Sequence, residues 1–147
     1  MTVQYTMNEG RITLPDGYTD RSVNIFVQAP LTDGLSNLQV ARDIARNDET
    51  LDAYVDRQIG LLKRKVKGLS VKSRETVVLA GCQAEAIEIE TRYTSNGKSV
   101  YQRQCATLLV NGHAKGHALI FTATNTVPFT SAQLATWRRM TDTFMPA

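Results

Sequence analysis

Three groups of residues in this chain could do chemistry. His113 and His117 stand four apart, a spacing that on a helix would place two imidazoles on one face as metal ligands. They fall instead in and just after a turn beside Asn111-Gly112, and the glutamate of the zinc-peptidase motif is missing, so they read as polar turn residues. Cys105 with His117 would make a nucleophile and base for a hydrolase, yet neither lies in a nucleophile signature. Glu85, Glu88 and Glu90 suggest grouped carboxylates. On a strand they divide between faces, and their alternation with Arg92 predicts a solvent-exposed ladder. No glycine-rich phosphate loop occurs. The expectation is therefore a protein with no catalytic residue, metal or cofactor, whose work is binding and not catalysis.

A second chemistry, hydrogen bonding from within an apolar surface, belongs to glutamines. At helical spacing Leu51, Val55, Leu62 and Val66 share one face, and Gln58 stands in the middle of it. On a strand Gln102 and Gln104 share one face with Val100, Ala106 and Leu108. An unsatisfied buried amide costs about 1–3 kcal/mol. Either neighbouring groups of the protein satisfy these amides, or they await an apolar guest carrying polar groups of its own.

Elements to position them follow from periodicity and turn chemistry. Strand-like segments run over about 2–6, 10–14, 22–29 and 36–42, broken by Pro15-Asp16-Gly17 and Thr32-Asp33-Gly34. A helix over about 50–66 is capped by Thr50 and stopped by Gly68. An antiparallel meander over about 69–80, 83–94, 98–110 and 114–123 turns at Asn96-Gly97 and Asn111-Gly112. Thr130 to Gln133 is a capping box with Phe129 and Leu134 as its staple, and Leu134, Trp137, Met140 and Phe144 form an apolar stripe. The fold class predicted is α+β, an antiparallel sheet covered on one face by two packed helices. Val23, Ile25 and Val27 alternate with polar residues while Phe26 occupies the other side, so both sides of that strand are expected to be covered.

Composition narrows the function further. The 147 residues suit one domain, and a formal charge of +3 is too small and too scattered to demand nucleic acid. The densest basic cluster, Lys63, Arg64, Lys65 and Lys67, ends a helix that begins with Asp48, Glu49 and Asp52, as the helix dipole favours. The amino terminus shows no secretory pattern and no segment has transmembrane length, so a cytosolic protein is expected. Cys82 and Cys105 show no CxxC spacing and are expected to be inert, partly buried thiols.

Ser22 to Phe26, Ala41-Arg42-Asp43, Tyr54 to Gln58, Gly81, Gly97 to Gln104, Thr122 to Thr126 and Trp137 to Pro146 together carry a resemblance across nearly the whole chain. In their order and spacing the sequence resembles the DcrB/DUF1795 family, and within it the Eag-type chaperones of type VI secretion effectors. The resemblance implies a Mog1/PsbP-like sandwich, a homodimer, a cytoplasmic location and a partner. That partner is a cognate secreted effector whose amino-terminal transmembrane helices are shielded in an apolar groove before loading on the secretion spike, which the chaperone contacts indirectly. By position Val23 and Ile25 would line the groove, and Gln58 and Gln104 would bond to the guest. Gln39 stands where relatives can carry an apolar residue, which makes this groove wetter, and Leu62 and Gln102 complete the expected effector-binding set. No stable membrane insertion and no nucleotide are implied. A small-ligand or lipid-binding module on the same fold is the alternative.

Overall fold

Asn96 and Gly97 both take positive φ, 50° and 76°, the pair of left-handed conformations that a two-residue hairpin turn requires. In the computed structural model, which describes residues 2–28, 34–109 and 116–146, this turn joins β6 (Ala84–Ser95) to β7 (Lys98–Leu108). The second expected turn, Asn111-Gly112, lies outside the described residues, as do His113, Thr32 and Asp33. With β3 (Val23–Val27), β4 (Asn37–Ile44), β5 (Lys67–Leu79) and β8 (His117–Asn125), these strands form an antiparallel six-stranded sheet in the order β3-β4-β8-β7-β6-β5. The hairpin β1 (Val3–Met7) and β2 (Gly10–Leu14) makes a separate two-stranded sheet.

Helix α1 (Leu51–Lys65) starts where the Thr50 side chain accepts the Ala53 N–H at 3.1 Å. It ends at Val66, which is extended and whose N–H still reaches the Leu62 carbonyl. Gly68 is therefore not the stop. It sits inside β5 with φ +66°, at the register shift between Lys67 and Ser70, where a bulge needs a left-handed residue. Helix α2 (Ser131–Asp142) has the expected reciprocal capping box between Thr130 and Gln133. No described helix is long and apolar enough to cross a membrane.

The two helices lie on opposite faces of the sheet. Because side chains alternate along a strand, Ile87 and Ile89 of β6 point to α1, where they pack with Tyr54, Val55, Ala106 and Ala118. Ala86 points to the other side, where Trp137 of α2 packs with Cys105, Leu119, Phe121 and Ala123. The expected α+β class with two packed helices holds; the placement of both helices on one face does not. The second face was hidden because it carries Glu88, read as an exposed ladder residue and in fact 2% exposed. Its carboxylate accepts Trp137 Nε1 at 2.7 Å and pairs with Arg103 at 2.7 Å and Arg138 at 3.2 Å.

The expectation that both sides of β3 are covered also fails. β3 is an edge strand, and Val23, Ile25, Phe26 and Val27 are all exposed, Ile25 at 68% and Val27 at 73%.

Candidate binding groove

Register places the predicted residues together. Ile25 pairs with Gln39, Gln39 with Thr122, Thr122 with Gln104 and Gln104 with Ile89, so one cross-strand row runs over five strands on the α1 face. The adjacent row on that face is Val23, Ala41, Ile120, Ala106 and Ile87. An amide-bearing row thus lies beside an apolar one. Gln102 follows on the same face, opposite Thr124.

Helix α1 covers only part of this face, and its flank forms the groove wall. Under the helix the groove narrows to about 50 Å³ between Tyr54, Val55, Gln58, Ile87, Gln104 and Ile120. Farther along α1 it is lined by Ile59, Leu62 and Lys65, again with Gln58 and Gln104. Toward β4 it opens to about 310 Å³ over Gln39, Ala41, Asp43, Gln102 and Thr122. Gln58 and Gln104 line all three portions, so the helix amide and the strand amide share one groove. Val23 and Ile25 extend its floor to the sheet edge.

The amides are partly engaged within the protein. Gln58 Nε2 donates to Asp43 Oδ2 at 3.2 Å, Gln102 Nε2 to Thr124 Oγ1 at 3.3 Å, and Gln104 Nε2 to Thr122 Oγ1 at the 3.5 Å limit. Each planar amide spends one N–H this way and keeps further hydrogen-bonding capacity.

Asp43 and Tyr54 are groove-lining residues that spacing alone misses. Tyr54 is fully buried, and its hydroxyl donates to Asp43 Oδ2 at 2.8 Å. Burial, then the adjacent Asp43 carboxylate, raise the phenol's pKa well above its ordinary range, so it stays a donor. Arg57 stacks its guanidinium 5.3 Å from the Tyr54 ring and bonds Glu49 through two contacts of 2.8 Å. Those hydrogen bonds from Arg57, followed by the backbone bond at Arg46, hold the Glu49 carboxyl at about 2. Arg74 of β5 reaches Asp52 and Asp56, tying the other side of α1 to the sheet. The helix is pinned on both flanks while the groove beside it stays open.

Cys105 lies on the opposite face. It is fully buried and pairs in register with Phe121, and burial, reinforced by the Glu88 charge, pushes its thiol up to about 12. Such a thiol is protonated at neutral pH, which removes the nucleophile from the imagined pair with His117, the first residue of β8.

A family model described as DcrB matches residues 9–143. The chain belongs to the DcrB family. This DcrB-family protein is 23% identical over 145 residues to the Pseudomonas aeruginosa protein named Effector EagT6, an alignment that spans 97% of this chain and 94% of that relative. Among solved structures, the crystal structure of PA94, a Pseudomonas aeruginosa protein of unknown function, matches with a TM-score of 0.75 at 21% identity, over 99% of this chain and 97% of that one. That likeness shows the fold. The solution structure of PsbP from the cyanobacterium Synechocystis sp. PCC 6803 aligns with a TM-score of 0.45 at 13% identity, over 97% of this chain and 88% of that one.

Proposed function

We propose that this DcrB-family protein is a cytoplasmic chaperone and adaptor for a type VI secretion effector. In this reading it is a binding protein, not an enzyme. Its groove shields the effector's amino-terminal transmembrane helices until the effector is loaded on the spike. The carrying observation is the α1-face floor, on which an apolar cross-strand row lies beside a row bearing Gln39 and Gln104, with Gln58 overhanging both. The relative named Effector EagT6 and the resemblance to Eag-type chaperones support the same reading.

The physical need is large. A transmembrane helix carries about twenty apolar residues, each worth about 1.5–3 kcal/mol on burial, so in water it aggregates or inserts into the nearest membrane. An open groove with an apolar floor competes for that surface, and its amides meet polar groups that a bilayer would leave to another helix. On the other face of the edge strand β3, away from the groove floor, the exposed Phe26 supplies a surface for the second copy of a homodimer.

A carrier of one small apolar molecule fits less well. Small-molecule sites are mostly apolar and bury most of their ligand, whereas the roomiest part of this groove, about 310 Å³, is open and lined by Gln39, Asp43, Gln102 and Thr122.

Affinity purification of the tagged protein from its native host tests the proposal. The expected result is one large protein with amino-terminal hydrophobic segments, lost in the Gln58→Ala and Val23→Asp variants while both remain folded. Recovery of a dimer alone, or of a dimer with a small bound molecule, would move the assignment to the ligand-binding module.

A further inference from the structure

One carboxylate holds the helix amide of the groove. Asp43 Oδ2 accepts Gln58 Nε2 at 3.2 Å and the Tyr54 hydroxyl at 2.8 Å, while Oδ1 accepts the Ile44 N–H at 2.8 Å and pairs with Arg21 at 3.0 Å. A carboxylate held by arginine only accepts hydrogen bonds. Turning the Gln58 carbonyl toward it would set two acceptors 3.2 Å apart, so the amino group is held against Asp43. Because the amide is planar, its oxygen then lies on the side away from Asp43 Oδ2, where it is left to accept from a group in the groove that Gln58 lines.

The strand amides differ in this respect. Gln102 and Gln104 meet the hydroxyls of Thr124 and Thr122, which can donate or accept, so either amide can reverse at little cost. Of these three glutamines only Gln58 has an imposed orientation.

We infer that Asp43 is a positioning residue that fixes Gln58 as a hydrogen-bond acceptor, so that the groove takes guest helices presenting a side-chain donor, such as a hydroxyl, at that point. This rests on the guest-binding reading of the groove. The donor has to be a side chain, because the backbone N–H groups within a helix are already spent on its own carbonyls. Arg21 and Tyr54 hold the carboxylate from the sides that Gln58 leaves, which keeps the lock in place whether or not a guest is bound.

The test uses the full chain and two lysine-flanked Ala/Leu helical peptides of about twenty residues, with binding read by fluorescence anisotropy. Their central residue is homoserine, which donates and accepts, or its constitutional isomer O-methylserine, which only accepts. The native protein is expected to bind the homoserine peptide about tenfold more tightly, the worth of one hydrogen bond. Asp43→Asn lets Gln58 turn either way and is expected to reduce that preference to about threefold or less. Gln58→Met should abolish it, and thermal melting checks that both variants fold. Equal binding of both peptides by the native protein, or an unchanged ratio in Asp43→Asn, overturns the role of Asp43 and leaves guest binding standing. Binding of neither peptide overturns the guest-binding reading and this inference with it.

Discussion

Replacing Glu88 with Ala should lower stability more than any other single loss of charge on the α2 side of the sheet. The carboxylate is 2% exposed and accepts Trp137 Nε1 and Arg103, each at 2.7 Å. Without it the indole N–H loses its acceptor. Arg103, with a side chain 16% exposed, is left with Glu90 at 3.3 Å, and its Nε already has no partner among the described residues. Breaking a buried ion pair by removing one member costs about 3–5 kcal/mol. Arg138 adds little, since its side chain is 40% exposed and water can replace the contact. At about 3 °C per kcal/mol for a chain of this length, the melting temperature should fall by about 9–15 °C. Glu90→Ala, which removes one longer contact from a more exposed position, should shift it by less than about 3 °C. Melting followed by circular dichroism or calorimetry gives both numbers. A Glu88→Ala melt within about 3 °C of the native protein would show that the buried Glu88 cluster contributes little to stability.

Two further expectations concern ionisation. Glu49 is held at about 2 by Arg57, below the usual 4.5, so its contribution to stability is fully present above pH 4.5 and is lost as the pH falls through the folded value. Carboxyl-carbon NMR should give a Glu49 midpoint near 2 in the native protein, moving toward 4.5 in Arg57→Ala. Cys105, buried and pushed up to about 12, should resist iodoacetamide at neutral pH and become alkylated only on unfolding. Rapid labelling of Cys105 in the folded protein would contradict the burial described here.

How legible this was in the sequence depended on whether the deciding signal was local. Asn96-Gly97, Thr50 and the Thr130 to Gln133 box each fix a turn or a cap through neighbouring backbone, and all three formed as expected. The strand period placed Gln102 and Gln104 on one face, and the helical period placed Gln58 and Leu62 on another, without showing that the two faces meet. Register across β3, β4, β8, β7 and β6 is what brings them together, and it includes pairings between strands far apart in sequence.

Glu88 was misread for a related reason. In a single strand an alternating Glu looks solvated, whereas its burial comes from Trp137 and Arg138, about fifty residues away on α2. The hairpin register from Asn96-Gly97, which sets Glu90 opposite Arg103, carried part of the signal. Asp43 and Tyr54 stand among the residues that carry the resemblance, but periodicity gives them no role, since their bond joins a strand to the following helix. The four exposed apolar residues of β3 read as core because alternation says which residues share a face, not whether anything lies on it.

Site-specific photo-crosslinking from the groove tests the central proposal most directly. A photoreactive residue at position 104, with a matched one at the exposed Glu75 of β5 as control, is introduced in the native host, and the adduct is digested and sequenced. The expected position-104 adduct yields peptides that map to an amino-terminal apolar segment of one large protein, with no such adduct from position 75. Adducts from position 104 that carry only a small molecule, or only a second copy of this chain, would contradict the proposal.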